Sequence, residues 1–363
     1  MGSITSDKSS RASAATKRFV AFDFDCDFFC HFSYEPAVGL GLEEGVCRRD
    51  PTSVITVGDL YYVWYTRSVG ESHGYTGNPE LKVWPWDFAE IWYATSPDGR
   101  SWTERGKAVG TGPAGEFDER SVFTPEILAH GGKYYLVYQA GRSPYVRRHH
   151  ECVALSVADS PDGPWRRLPQ PILNPERDGQ WDGEEDDQFK VKRVGSFDSQ
   201  NTHDPCLMHY QGKFYLYYKG EQMGRLTQGS RWGVAIADAP EGPYMKSKFN
   251  PITNSGHETC VWHYAGGIAA LLTSVGWEKN TIQWAPDGIH FEIKAHICNP
   301  PYAAGPFRPD LPEIKGPLDG LRWGLCHVGP NGWHYKTTSP WDHLIRFNTS
   351  EYAKERIHRG KER

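Results

Sequence analysis

Short runs of apolar and aromatic residues recur along the chain, separated by polar stretches. They stand at residues 60–65, 91–94, 134–138, 214–218 and 234–237. Each run is short and rich in β-branched or aromatic side chains, which is typical of strands with at least one buried face. The pattern therefore predicts an all-β protein.

A four-residue turn signal follows several of these runs. It reads Ser/Ala-Pro-Asp/Glu-Gly at residues 96–99, 160–163, 239–242 and 285–288, and Gly-Pro-Asn-Gly at residues 329–332. Proline presets φ, the acidic or amide side chain bonds its own backbone, and glycine accepts a positive φ. Each copy predicts the outer hairpin of a repeated sheet.

The spacing of these turns indicates how the sheets are organised. The intervals between successive turn prolines are 64, 79, 46 and 44 residues. Units of this length in an all-β chain predict a β-propeller, whose blades close into one domain. We expect that domain at residues 19–349. A polar arm at 1–18, with a short helix that contacts a second subunit, precedes it, and a charged tail at 350–363 follows.

A second repeat lies upstream of the turns and carries acidic residues. Its copies are Arg-Asp-Pro at 49–51, Phe-Thr-Pro-Glu at 123–126, His-Asp-Pro at 203–205 and His-Glu-Thr at 257–259. In a propeller the innermost strand of each blade lines the central channel. We therefore expect three acids near the starts of successive inner strands to converge at one channel mouth: Asp50, Asp204 and Glu258.

Carboxyl groups gathered in this way suit the cleavage of a glycosidic bond. That reaction needs a proton donor at the leaving oxygen and either a base for water or a nucleophile. His203 and His257 each precede one of the acids and are further candidates. The competing interpretation of an acid before proline is a turn cap, which its recurrence in several blades disfavours.

Composition narrows the function classes. The net charge is −5 and basic runs are confined to the termini, which argues against a nucleic-acid partner. Aromatic residues make up 13% of the chain, enough to pack the blades and also to stack on sugars. No leader or membrane span is visible, so we expect a cytoplasmic protein, or a periplasmic one whose leader was removed.

Metal chemistry has weaker support in the sequence. The eight cysteines show no zinc spacing. The acidic run at residues 182–187 fits a solvated loop or a cation site. No cofactor is required by the sequence.

Five motifs, in order and at blade-like spacing, resemble those of glycoside hydrolase family 117, the α-1,3-(3,6-anhydro)-L-galactosidases or neoagarobiose hydrolases. They stand at residues 45–51, 86–96, 123–127, 202–205 and 256–259, and the resemblance runs from about residue 13 to about residue 309. It implies a five-bladed propeller. It also implies an exo-acting hydrolase that removes 3,6-anhydro-L-galactose from the non-reducing end of neoagarobiose and short neoagaro-oligosaccharides.

The same resemblance implies residue roles. Asp50 would be the general base and His257 the general acid, while Asp204 and Glu258 would hold the sugar or tune the pair. The implied substrate contacts are Arg49, Trp86, Thr124, Glu126, Gln139 and His203. Members of the family form homodimers through an N-terminal helical segment, and some hold a cation near the channel.

Three alternatives stay open on sequence grounds, as does the retaining or inverting outcome. The enzyme could cleave a different oligosaccharide with the same catalytic pair. It could be a glycoside phosphorylase, which would need cations such as Arg48 or Arg49 to seat phosphate. It could also be a sugar-binding propeller without catalysis.

Overall fold

The computed structural model describes residues 27–256, 258–273, 275–308, 316–330 and 339–351. Within these residues the chain forms twenty-three strands and two short 3₁₀ turns, Thr227–Gly229 and Asp319–Leu321. The arm at 1–18, the tail after residue 351 and His257 lie outside the described residues. The prediction of an all-β chain is confirmed.

Twenty-one of the described strands form five blades that follow one another along the chain. The first blade contains β2 (Val46–Arg49), β3 (Ile55–Val57), β4 (Leu60–Val69), β5 (Glu90–Ser96) and β6 (Thr103–Val109). The second contains β7 (Ser121–His130), β8 (Lys133–Gly141), β9 (Glu151–Ala158) and β10 (Arg166–Arg167). The third contains β13 (Asn201–Tyr210), β14 (Lys213–Glu221), β15 (Arg231–Ala237) and β16 (Met245–Lys246).

The last two blades complete the ring. The fourth contains β17 (Cys260–Tyr264), β18 (Gly267–Leu272), β19 (Thr281–Ala285) and β20 (Glu292–His296). The fifth contains β21 (Gly305–Pro306), β22 (Trp323–Val328), β23 (His343–Glu351) and, as its outermost strand, β1 (Cys30–Pro36). Because β1 pairs antiparallel with β23, from Cys30 opposite Glu351 to Pro36 opposite Ile345, the beginning of the described chain closes the last blade.

The hydrophobic core confirms that the ring is closed. It is divided into five clusters, and each lies between two neighbouring blades. One of them joins the first blade, through Val63 and Tyr65, to the fifth, through Leu325 and Leu344. Five blades with five interfaces leave no open end, so this is a five-bladed β-propeller.

Four of the five predicted turns lie where the sequence placed them, between the third and fourth strands of a blade. They connect β5 to β6, β9 to β10, β15 to β16 and β19 to β20. The prediction for the fifth copy is wrong, because Gly329 and Pro330 follow β22, the second strand of its blade. A Pro-Gly signal encodes a tight reversal and not the position of that reversal in a sheet.

Two long connections interrupt the regular blades. The chain between β4 and β5 has no regular strand, whereas the chain between β10 and β13 contains a small hairpin of β11 (Gln180–Trp181) and β12 (Val191–Arg193). Within the described residues, no helix is long and apolar enough to cross a membrane.

Candidate active site

Each blade carries one non-glycine residue with left-handed backbone in its inner strand or next to it. The φ angles are 49° at Asp50, 46° at Thr124, 48° at Asp204, 60° at Glu258 and 50° at Ala303. In β7 and β13 the pairing register shifts at this residue. Left-handed backbone costs an L-residue about 1–2 kcal/mol, and such strain clusters at functional sites.

These five residues line one small cavity in the channel. Its volume is about 20 Å³, enough for one water molecule. The sequence prediction that the acids converge agrees with this geometry. Asp204 lies near the start of β13 and Glu258 just before β17, as predicted, whereas Asp50 lies between β2 and β3, which both pair with β4. The register shift beside Asp204 is a bulge, a feature that can redirect a side chain.

The Asp50 carboxylate is buried and surrounded by donors. Its Oδ2 lies 2.8 Å from Arg49 Nε and accepts hydrogen bonds from the hydroxyls of Thr66 and Thr124, both at 3.3 Å. Burial alone would raise the pKa of this carboxyl group, but Arg49 and His327 outweigh it and hold the pKa well below its usual range. Asp50 is therefore ionised at neutral pH.

His327 contacts Asp50 in a way that depends on the imidazole proton. Its Nδ1 lies 3.2 Å from the Asp50 backbone nitrogen and 3.2 Å from Oδ1. A neutral ring with a lone pair on Nδ1 accepts the backbone N–H, whereas a protonated Nδ1 donates to the carboxylate. His327 therefore contacts both the backbone and the side chain of Asp50.

On the opposite side of the cavity, Asp204 forms a salt bridge and Glu258 provides a second carboxyl group. Asp204 Oδ2 lies 2.6 Å from Lys219 Nζ and accepts a 3.0 Å hydrogen bond from the Glu258 backbone nitrogen. Burial raises the pKa of the Glu258 carboxyl well above its usual range, and the charges of Asp204 and Asp50 raise it further. The site therefore shifts the pKa values of Asp50 and Glu258 in opposite directions, lowering the first and raising the second.

The predicted substrate contacts Arg49 and Trp86 form one wall. The Arg49 guanidinium lies 4.7 Å from the centroid of the Trp86 ring and donates to Asp342 at 3.0 Å. Trp86 in turn donates from Nε1 to the Tyr145 hydroxyl at 2.8 Å and stacks on Trp84 with centroids 5.6 Å apart. An aromatic face is thus held in place near Asp50, through Arg49.

Gln139 and His203, also predicted as contacts, meet at a carboxylate that the sequence did not reveal. Glu151 is buried and accepts hydrogen bonds from the Gln139 amide and, at 2.8 Å, from the Tyr145 hydroxyl. His203 Nδ1 lies 3.1 Å from Gln139 Nε2 and 3.4 Å from Glu151 Oε2. His149 Nε2 lies 3.2 Å from Glu151 Oε1. Glu151 therefore connects the Trp86 wall to the Asp204 side of the site.

The last two predicted contacts differ in what their side chains do. Thr124 donates to Asp50, as described above. Glu126 lines the same cavity, but its carboxylate accepts hydrogen bonds from the backbone nitrogens of Ser53, at 3.0 and 3.2 Å, and Ile127, at 3.0 Å. Arg308 Nη2 lies 3.5 Å from the same group. Glu126 thus joins the inner strands of two blades.

Sequence reasoning missed Lys219, Glu151 and His327. Lys219 and Glu151 stand in runs that read only as buried strand, and His327 lies in the fifth blade, where no acidic repeat is written. Among the described residues, no group of His, Cys, Asp and Glu has metal-binding geometry. The acidic run at 182–187 is held by ion pairs with Arg147, Lys190 and Lys192.

Comparison with solved structures identifies the family. The chain superimposes on Zg3597, a family 117 glycoside hydrolase produced by the marine bacterium Zobellia galactanivorans, with a TM-score of 0.74 and 34% sequence identity. The match covers 91% of this chain and 93% of that one. The chain belongs to glycoside hydrolase family 117. No protein-family model and no curated protein sequence matches it.

More distant structures share the fold of this family 117 chain. Another glycoside hydrolase aligns with a TM-score of 0.59 at 13% identity, covering 94% of this chain and 96% of its own. A GH43_1 enzyme from Xanthomonas citri complexed with xylose aligns with a TM-score of 0.53 at 13% identity, covering 86% and 89%. Family membership supports glycoside hydrolase activity and an oligosaccharide substrate for this chain.

Proposed function

We propose that the protein is an exo-acting hydrolase that removes 3,6-anhydro-L-galactose from the non-reducing end of neoagarobiose and short neoagaro-oligosaccharides. The observation that carries the proposal is that Asp50 and Glu258 line one cavity whose charges and burial lower the pKa of the first carboxyl group and raise that of the second. Environments that push two pKa values apart separate a base from an acid. Family membership adds the substrate class.

In this mechanism Asp50 removes a proton from the attacking water, and the sugar oxygen that leaves is protonated from the other side. His257 is the proposed donor, with an unperturbed pKa of about 6.5 that suits the task. Glu258 is the second candidate because its raised pKa favours the protonated carboxyl group. Asp204, fixed by Lys219, orients the backbone nitrogen of Glu258.

Two other interpretations have less support. A phosphorylase needs cations free to seat phosphate, but Arg48 is bonded to Glu43 and Glu104, and Arg49 to Asp50 and Asp342. A non-catalytic sugar-binding protein would have no need to shift the pKa values of two neighbouring buried carboxyl groups in opposite directions. Dimerisation through residues 1–18, a cytoplasmic location and a cation near the channel stay predictions.

The test incubates the purified protein with neoagarobiose and with other red-algal and plant oligosaccharides, and follows products by mass and anomeric proton signals. Asp50→Asn should lower turnover by about 10²–10⁴, the usual contribution of a general base. The exposed Asp238→Asn is the matched control. Equal turnover in both variants would refute the role of Asp50, and cleavage of other sugars alone would refute the substrate.

The same assay separates the two donors. His257→Gln and Glu258→Gln are compared on the natural substrate and on a substrate whose leaving group needs no protonation. The variant whose turnover recovers on the activated substrate is the one that lacks the general acid. Recovery of Glu258→Gln alone would overturn the assignment to His257.

A further inference from the structure

An open groove of about 800 Å³ lies outside the channel and presents three large apolar side chains to solvent. Trp277 is 96% exposed, Leu226 58% and Phe189 54%. Tryptophan is among the most buried residue types on average, and exposed apolar clusters commonly mark ligand-binding grooves. Neither the channel chemistry nor blade packing uses these side chains.

The groove lies on the same face of the propeller as the candidate active site. Asn201 pairs with Glu221, and Cys260 with Leu271, so β14 and β18 end where the inner strands of their blades begin. Leu226 and Trp277 follow those two ends and therefore stand on the channel-mouth face.

Backbone contacts tie the Trp277 loop directly to the chain that enters the site. The Trp277 nitrogen donates to the Asn254 carbonyl at 3.3 Å, and the Glu278 nitrogen donates to Ser255 Oγ at 2.6 Å. Residues 254 and 255 shortly precede Glu258 in the sequence. A ligand that leaves the channel beside Glu258 thus meets this loop.

The charged residues in the groove are basic. Arg225 and Lys279 line it and are exposed, and neither forms an ion pair with another described residue. The acidic run that precedes Phe189 does not line the groove, and three of its five acids, Asp182, Glu185 and Asp186, are paired with lysine and arginine as described above. Two cations beside the face of a tryptophan ring favour the binding of a sugar ring that carries a negative charge.

We propose that this groove binds the leaving-group side of oligosaccharides longer than neoagarobiose, and that in the preferred ones the sugar bound there carries an anionic substituent, a sulfate ester or a carboxylate. The inference rests on the proposed exo cleavage. When the terminal sugar of an oligosaccharide lies in the channel, its remaining sugars extend over this face of the propeller. Trp277 stacks on a sugar ring, and Arg225 and Lys279 bind its anionic substituent.

The test measures binding by calorimetry, with Asp50→Asn as the background so that no ligand is cleaved. Three tetrasaccharides serve as probes: neutral neoagarotetraose, a sulfated red-algal galactan fragment and a fragment containing uronic acid. We expect one anionic probe to bind about tenfold more tightly than the neutral one. Trp277→Ala should lower the affinity for that probe about tenfold, and the double variant Arg225→Ala/Lys279→Ala should abolish the preference.

Phe249→Ala removes another exposed aromatic side chain, 48% accessible, outside the groove and should change nothing. Equal affinity for neutral and anionic probes, or unchanged binding by Trp277→Ala, would overturn the proposal. So would a change from dimer to monomer in Trp277→Ala by sedimentation, since the groove would then hold a second copy of the chain. Binding is measured without cleavage, so a failure of the proposed hydrolysis is seen separately.

Discussion

Two lysine–aspartate pairs on β14 allow a controlled test of how the active site is held together. Lys219 Nζ lies 2.6 Å from Asp204 Oδ2, and Lys213 Nζ lies 2.6 Å from Asp238 Oδ1. The side chains of the first pair are both 4% exposed, whereas those of the second are 53% and 88% exposed. The two lysines lie on the same strand and at the same distance from their aspartates, and the two pairs differ in burial.

Burial decides the cost of breaking each pair. Lys219→Met leaves the Asp204 carboxylate buried without its cation, close to Asp50 and Glu258. Removing one partner of a buried pair destabilises a protein by about 3–5 kcal/mol. Lys213→Met leaves a carboxylate that water solvates, so we expect no measurable loss.

Urea unfolding, followed by tryptophan fluorescence, measures both effects. A change in the midpoint urea concentration, with an unchanged dependence of the unfolding free energy on urea, reports a change in stability. The double variant Lys219→Met/Asp204→Asn removes both buried charges and should recover part of the stability lost in Lys219→Met, because no charge is left uncompensated. Equal losses in Lys219→Met and Lys213→Met would refute the reasoning. A double variant no more stable than Lys219→Met would also contradict it.

Two further predictions concern the acids around the channel. Glu151→Gln should raise KM several-fold more than it lowers kcat in steady-state assays. The reason is that the Glu151 carboxylate orients Gln139 and His203 and does not reach the cavity between the acids. A fall in kcat as large as the rise in KM would contradict this. Glu258 has a raised pKa in the folded state, so the stability it contributes is present below the unfolded glutamate pKa of about 4.3 and is lost as the pH rises through the folded value. In Glu258→Gln the free energy of unfolding should therefore decrease less steeply with pH above about 4.3 than in the unchanged protein. If urea unfolding at several pH values gives the same dependence for both proteins, Glu258 is not its cause.

Much of the fold was predictable because its signals are local. Proline, an acidic residue and glycine specify a reversal through their own backbone preferences, and four turns lie where they were predicted. The fifth copy was misplaced because the same local chemistry serves any reversal. The identity of Asp50, Asp204 and Glu258 as channel residues was also readable, since a blade repeat places them at equivalent positions.

The electrostatic state of the site was not predictable in this way. The raised pKa of Glu258 depends on its burial and on two carboxylates from other blades. The charge on Asp50 depends on Arg49 and on His327, which is 277 residues further along the chain. Glu151 looks like any buried strand residue until four side chains surround it.

The amino-acid sequence thus determined the strands, most of the turns, the propeller and which acids enter the channel, because backbone preference and side-chain alternation act over a few residues. Only the tertiary structure decided the left-handed bulges that aim those acids, the partners that set their charge and the exposed groove around Trp277. These depend on ring closure, which brings distant segments such as β1 and β23 together and fixes the burial that sets a pKa.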